Sequence, residues 1–238
     1  MKNSWKSLRL YATSPAYVFG IPALILAMMV GVSIIIVLIF GIAVGLPLPE
    51  TTSNSMHNNV GALSAVPGFM MAVGIMAVTR NFAMALAFGS TRRDFWFGTS
   101  LGFVLSSLVT AVSAVGLLGV EKLTHGYGIG AWAFDVTVLG NGNYLVTFVS
   151  LFVMSLLSLF LGAFFGTIYR AFGAVATTMA AIGFGLLVVG GIALAVWQRV
   201  SLFAWLGDWG VWAGITLGAV LTLVAATGSF AANRLATV

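Results

Sequence analysis

Long apolar runs with almost no charge constrain this chain more than any other feature. The run from residue 23 to 45 (ALILAMMVGVSIIIVLIFGIAVG) carries no charged side chain, and five later stretches of about twenty residues or more are also free of charge. Only 6% of the 238 residues are charged, whereas a soluble domain averages about 25%. So few charges cannot cover a water-exposed surface, so the surrounding medium must be lipid.

The length of the runs predicts helices. In a bilayer, backbone N–H and C=O groups must be paired within the protein, which leaves helices or a closed barrel. Barrel strands alternate apolar and polar residues over about ten positions, but the runs here are continuous. We therefore predict an all-α membrane protein, with one six-helix transmembrane domain over residues 20–238. Because proline bends helices, we also predict a kink at Pro67 in the second crossing. The predicted crossings are residues 21–45, 60–79, 97–120, 144–168, 172–197 and 209–230.

The positive charges collect on one predicted side of the membrane. The first run is too long for a signal-peptide core, so we expect it to remain as a helix. With the N-terminus inside, eight of the ten lysines and arginines face the cytoplasm. By the positive-inside rule this predicts a multi-pass protein with its N- and C-termini inside. The eight are Lys2, Lys6, Arg9, Arg80, Arg92, Arg93, Arg170 and Arg234.

The segment before the first crossing, residues 1–19, is amphipathic. Trp5 and Leu8 can share one side of a short helix while Lys6 and Arg9 take the other. This pattern favours a helix lying in the cytoplasmic headgroup layer. The alternative is a tail whose cations only set the topology.

Glycines spaced four residues apart mark faces where membrane helices can pack closely. Gly210, Gly214 and Gly218 form such a run on the last predicted helix, and we predict a packing seam there. Because the chain holds 29 glycines, pairs such as Gly162 and Gly166 are expected by chance.

Several functional classes are excluded by what the chain lacks. Without cysteine there is no disulfide, thiolate metal site or cysteine nucleophile. No predicted crossing carries Asp, Glu, Lys, Arg or His in its core, which argues against a proton-coupled transporter, a voltage sensor or an intramembrane serine protease. His57 and His125 fall in separate predicted outer loops without ligand spacing, so we expect solvated histidines rather than a metal site. Glu121 is also expected in an outer loop.

The second predicted cytoplasmic loop, residues 80–95 (RNFAMALAFGSTRRDF), has the most specific pattern. Asn81 can cap a short apolar helix, FAMALAF, and Gly-Ser-Thr separates it from Arg-Arg-Asp. A plain hairpin loop needs only a few polar residues. This element suits docking into a groove of another protein, with its apolar face inward and the arginines at the rim. The alternative is that the arginines only obey the positive-inside rule and the short helix rests on the bilayer.

Residues 81–99 (NFAMALAFGSTRRDFWFGT) resemble a stretch in small bacterial permeases of the type-2 ABC exporter family. That stretch has a Phe-led apolar turn, a small residue, Gly-x-[ST]-Arg-[RK], an aromatic pair and Gly-Thr. The layout is also similar: an N-terminal amphipathic helix, six spans, and a short apolar outer insertion, here residues 198–207. The implied ATPase-coupling loop contains Phe82, Met84, Leu86, Phe88, Gly89, Thr91, Arg92, Arg93, Asp94 and Phe95.

The resemblance implies a permease subunit in the bacterial cytoplasmic (inner) membrane, paired with a second copy or a related permease and driven by a separate ABC ATPase subunit. The chain has no Gly-x-x-x-x-Gly-Lys-[ST] loop, so we expect no ATPase activity and no cofactor of its own, with ATP and Mg bound by the partner. Membrane lipid, but no nucleic acid, is an expected partner. The expected substrate is hydrophobic or amphipathic. The alternatives are a non-transporting assembly or immunity-type factor that binds a cytoplasmic partner, and a passive channel, for which polar pore residues are lacking.

Overall fold

The chain folds into long α-helices. The structure is a computed structural model that describes residues 20–46, 48–49, 52–53, 55, 57–58, 61, 63–197 and 210–235. That part of the chain contains no strand, so the predicted all-α class is confirmed. The predicted helix over residues 1–19 and the apolar insertion at 198–207 lie outside the described residues. The five long helices are α1 (Ile21–Val44), α2 (Ala65–Ala87), α3 (Arg92–Leu123), α4 (Tyr144–Trp197) and α5 (Val211–Leu235).

All five helices are long and apolar enough to cross a membrane. By their internal contacts, the described residues form two compact units. The first unit contains residues 71–101 and 157–235, and the second contains residues 20–70 and 102–156. The single domain expected over residues 20–238 stays a prediction.

α4 changes direction at Gly173, whose backbone angles (φ 80°, ψ −174°) are not helical. The rings of Phe165 and Phe184 lie 6.1 Å apart between centroids, although nineteen positions separate the two residues. In a straight helix they would lie about 28 Å apart along the axis. The chain therefore folds back at Gly173, which divides α4 into helical segments of residues 144–172 and 174–197.

The boundaries of α2 correct two predictions. Because the helix begins at Ala65, Pro67 occupies its first turn, where a backbone N–H has no helical partner to lose. The predicted kink at Pro67 is therefore wrong. The separate short helix capped by Asn81 is also wrong, since α2 continues through Asn81 to Ala87. Residues 75–88 contain neither Gly nor Pro, so nothing in them interrupts the helix.

In the first unit, α2 and α4 approach backbone to backbone at glycines. A Cβ added to Gly74 would collide with the carbonyl oxygen of Leu159, and one added to Gly162 with that of Met71. At Gly166 it would lie 2.6 Å from a methyl group of Val78. The pair at 162 and 166, expected by chance from the sequence, is therefore a packing seam.

The run Gly210, Gly214 and Gly218 has a different setting. Gly210 precedes α5 and has a positive φ of 54°. A Cβ on Gly214 would meet no atom within 4 Å, so no described segment of this chain approaches it closely. The packing seam predicted for this run stays a prediction.

In the second unit, the connection from α3 to α4 is folded rather than a loose loop. It contains a π-helical turn at Gly126–Gly130 and a 3-10 turn at Thr137–Leu139. Val37, Leu48 and Ala131 form a small buried cluster, against which Tyr127 and Trp132 pack. This apolar cluster holds the connection, called the cap below (residues 124–143), against α1.

Candidate functional site

A turn of four residues, 88–91, joins α2 to α3. The Ser90 N–H donates to the Ala85 carbonyl (3.0 Å), and the Gly89 N–H donates to the Leu86 carbonyl (2.9 Å). This pair of bonds is the Schellman motif, which ends a helix by satisfying its last carbonyl groups. The motif requires a left-handed residue, and Gly89 has a φ of 74°. The glycine therefore ends α2 at this point.

Thr91 begins α3. Its hydroxyl oxygen accepts the Asp94 N–H (3.1 Å), and its hydroxyl donates to the Asp94 carboxylate (2.8 Å). The bond from the Asp94 N–H is an N-cap, and the carboxylate lies in the first helical turn, where the helix dipole favours negative charge. Thr91 and Asp94 therefore hold the turn in shape, and their predicted contact with a partner stays a prediction.

The end of α2 has one buried face and one exposed face. Phe82 is 2% exposed, and its ring lies edge-on against the buried ring of Phe95, with centroids 5.2 Å apart. Met84 and Phe88, one helical turn apart, are 52% and 67% exposed. Leu86 is half-buried. The predicted loop residues thus separate into an anchor, Phe82 and Phe95, and an exposed apolar pair, Met84 and Phe88.

The helices on either side of this turn carry positive charge. Arg80 and Arg93 are exposed, and Arg92 is half-buried. The guanidinium of Arg93 lies 5.6 Å from the ring centroid of Phe97. Asp94 is the only acidic residue among the described residues of the first unit. This excess of cations favours an anionic binding partner.

Arg170, on α4, contacts the base of this turn. Its Nη1 donates to the carbonyl of Val78 (3.2 Å), and its Nη2 donates to Oδ1 of Asn233 on α5 (2.7 Å). Its guanidinium carbon lies 3.3 Å from the ring centroid of Phe82. Asn233 Nδ2 in turn donates to the carbonyl of Arg92 (3.0 Å). From the sequence, Arg170 was only a charge that indicates topology. The one signal that could have singled it out was its position three residues before Gly173.

The second unit contains a buried carboxylate. Glu121, near the end of α3, is 0% exposed, so the expectation of a loop residue is wrong. Its carboxylate accepts three consecutive backbone N–H groups of the cap, those of Ala133 (3.0 Å), Phe134 (3.1 Å) and Asp135 (2.8 Å). Because these donors follow Glu121 by twelve to fourteen residues, no local pattern reveals the contact. The carboxylate fastens the cap to α3.

Other polar contacts extend around this carboxylate. Nζ of the adjacent Lys122 donates to the Gly142 carbonyl (2.7 Å). Burial raises the pKa of Tyr127 to about 12, and the nearby negative charge of Glu121 adds to the rise.

The two histidines have different surroundings. His57 Nδ1 lies 2.5 Å from the Asp135 carbonyl oxygen, and its ring stacks on Trp132 at 4.7 Å between centroids. His125 is exposed. His57 therefore packs against the cap. The sequence-based expectation of a solvated side chain is wrong for this residue.

No protein-family model, curated protein or solved structure matches this chain. The likeness to type-2 exporter permeases therefore depends on residues 81–99 and on the helix layout.

Proposed function

We propose that this chain is the membrane-spanning permease subunit of an ATP-driven ABC exporter, and that its α2–α3 turn docks a separate ATPase subunit. The observation that carries the proposal is the exposed apolar pair Met84 and Phe88 beside exposed arginines. An apolar centre with a charged rim is the anatomy of a protein docking surface. The turn is also a short helix end of the kind that inserts into a groove.

A docking element that transmits force must be stiff. The Schellman motif at Gly89 and the N-cap at Thr91 each stabilise the turn, a cap typically by about 1 kcal/mol. The contact between the buried rings of Phe82 and Phe95 joins the helices on either side of the turn. These features support a turn that carries a push from the ATPase into α2 and α3 without unfolding.

The Gly173 reversal supports six crossings. The segments 144–172 and 174–197 would extend about 43 and 36 Å at 1.5 Å per residue, and each exceeds the ~30 Å hydrocarbon layer. Counted separately with α1, α2, α3 and α5, they make six. An even number puts both termini on one side, and the cation distribution favours the cytoplasm. We propose the bacterial inner membrane as the location.

An apolar groove between α1 and α3, in the second unit, supports a hydrophobic or amphipathic substrate. It encloses about 660 Å³ and is lined by apolar residues and one serine. A Cβ on Gly31 or Gly116, which line it, would meet no atom within 4 Å. The complete transporter would contain two permease subunits, this chain with a copy of itself or a related chain, and ATPase subunits that bind ATP and Mg.

The test is co-purification with the ATPase encoded by the neighbouring reading frame, followed by measurement of ATP hydrolysis in lipid nanodiscs. Phe88→Asp puts a charge at the centre of the docking surface. The loss of a central contact of about 2 kcal/mol weakens binding about 30-fold. Leu123→Asp is the control, since Leu123 is exposed at the other end of α3 and should leave binding within about twofold of the unmodified chain (under about 0.4 kcal/mol).

Three outcomes separate the alternatives. Loss of ATPase binding in Phe88→Asp alone, together with a changed hydrolysis rate in the unmodified complex, supports the permease. Binding without any change in hydrolysis favours the non-transporting partner-binding protein. Equal recovery of the ATPase with Phe88→Asp and with the unmodified chain contradicts the docking site.

A further inference from the structure

Arg170 joins three elements of the first unit through one side chain. Its guanidinium bonds to the Val78 carbonyl of α2 and to Asn233 of α5, and its central carbon lies over the Phe82 ring. Among the described residues, no carboxylate lies within 4.0 Å of it. The half-buried guanidinium is thus held by two neutral acceptors and an aromatic ring rather than by a described carboxylate.

The contacts of Arg170 use the particular shape of a guanidinium. Two donors of its planar fork reach acceptors on different helices while its central carbon lies over an aromatic ring. A lysine ammonium has no planar face and no fixed fork, so it cannot make all three contacts at once. The position is therefore built for arginine rather than for positive charge alone.

These contacts reach both sides of the α2–α3 turn. Val78 and Phe82 precede the turn. On its other side, Asn233, which accepts a hydrogen bond from Arg170, donates one to the carbonyl of Arg92, the first residue of α3. In the other direction, Arg170 lies three residues before Gly173, where α4 folds back. One side chain thus stands between the turn and the reversal.

We infer that Arg170 is a positioning residue that locks the α2–α3 turn to the Gly173 reversal and to the end of α5, so that the three move as one body. The lock is a property of the chain by itself. Its consequence for transport rests on the proposed function: a push on the turn reaches α4 and α5 through Arg170. Loss of Arg170 then leaves ATPase binding intact, because Met84 and Phe88 are not part of the lock, but the movement is no longer transmitted.

The lock can be measured without any partner. The chain has no cysteine, so spin labels on Met84→Cys and Val175→Cys report, with no background, the distance from the end of α2 beside the turn to the segment after Gly173. Both positions are exposed. We expect a single narrow distance distribution, which Arg170→Gln and Arg170→Lys widen at least twofold.

The matched control is Tyr169→Phe, a change at the adjacent exposed residue, which should keep the narrow distribution. Thermal unfolding establishes that each variant is folded. If Arg170→Gln yields no folded protein, Asn233→Ala carries the test with the same expected widening, because it removes the acceptor of Arg170 Nη2 and the link to Arg92 but leaves the Val78 and Phe82 contacts in place. An unchanged distribution in folded Arg170→Gln or Asn233→Ala overturns the inference.

A second measurement separates this inference from the docking proposal. In the complex, Arg170→Lys should co-purify the ATPase within about twofold of the unmodified chain, while the effect of the chain on ATP hydrolysis falls at least fivefold. Normal binding with a normal effect on hydrolysis contradicts the relay. Failure of the unmodified chain to bind any ATPase contradicts the docking proposal and leaves the spin-label result to decide the lock.

Discussion

Replacing Glu121 by alanine removes the acceptor of three consecutive backbone N–H groups in the cap. The carboxylate is fully buried, and its donors are the N–H groups of Ala133, Phe134 and Asp135. Ala133 and Phe134 are themselves buried, so water does not readily replace the lost acceptor at these two. The N–H of Asp135 is part-buried and regains a water more easily.

The magnitude follows from these burials. A buried donor left without a partner costs about 1–3 kcal/mol, so two dry donors cost about 2–6 kcal/mol. Removal of a desolvated charge offsets part of this cost. We expect Glu121→Ala to lower the free energy of unfolding by about 3 kcal/mol. Glu121→Gln should lower it less, because its amide oxygen can still accept while its NH₂ group faces other donors.

The assay is equilibrium unfolding of the detergent-solubilised protein together with hydrogen exchange at residues 133–135. If local opening follows the lost bonds, these amides exchange about 100-fold faster, which corresponds to about 2.8 kcal/mol. Val120→Ala, an exposed neighbour on α3, is the control and should leave both readouts nearly unchanged. A loss below about 1 kcal/mol with unaltered exchange at residues 133–135 would refute the view that Glu121 fastens the cap.

Three further substitutions test the backbone geometry and the cap. Gly162→Ala forces a Cβ against the Met71 carbonyl and should lower the free energy of unfolding by about 1–3 kcal/mol. In the control Gly116→Ala the new Cβ meets no atom within 4 Å, and the change should stabilise the fold by up to about 1 kcal/mol. Equal effects of the two substitutions would contradict the α2–α4 seam. Gly173→Ala places a Cβ where φ is 80° and ψ is −174° and should cost about 1–3 kcal/mol; no loss would argue against the reversal. Tyr127 favours its neutral form in the folded state, so its contribution to stability is present below pH 10 and is lost as pH rises through about 12. In a titration followed by tyrosinate absorbance, Tyr127→Phe should therefore lack the step near pH 12. Loss of a step near pH 10 instead would contradict this burial.

The apolar runs predicted the long helices well, because local hydropathy alone determines where a chain can cross a bilayer. α1 lies within one residue of its predicted span, and the Gly173 reversal falls one residue inside the predicted start of the fifth crossing at Phe172. The end of α2 was predicted less well. Arg80 and Asn81 were interpreted as a helix boundary, but neither residue breaks a helix, and the actual boundary is the left-handed Gly89.

Contacts between residues distant in sequence could not be predicted. Glu121 was counted as an outer-loop charge because hydropathy cannot register a carboxylate that a later segment covers with three N–H groups. Arg170 was counted as a topology marker for the same reason, since its acceptors Val78 and Asn233 are 92 and 63 positions away. The packing role of Gly162 likewise depends on which helix crosses it, and spacing alone does not specify that.

The most direct test of the account is site-specific cross-linking from the α2–α3 turn. A photoactivatable cross-linker attached to Phe88→Cys, with Leu123→Cys as the control position, reports which polypeptide touches the exposed apolar pair in the native membrane. The account predicts a cross-link from position 88, and none from position 123, to a polypeptide that carries a phosphate-binding Gly-x-x-x-x-Gly-Lys-[ST] loop. A cross-link from position 88 to lipid alone, or equal yields of that polypeptide from both positions, would contradict it.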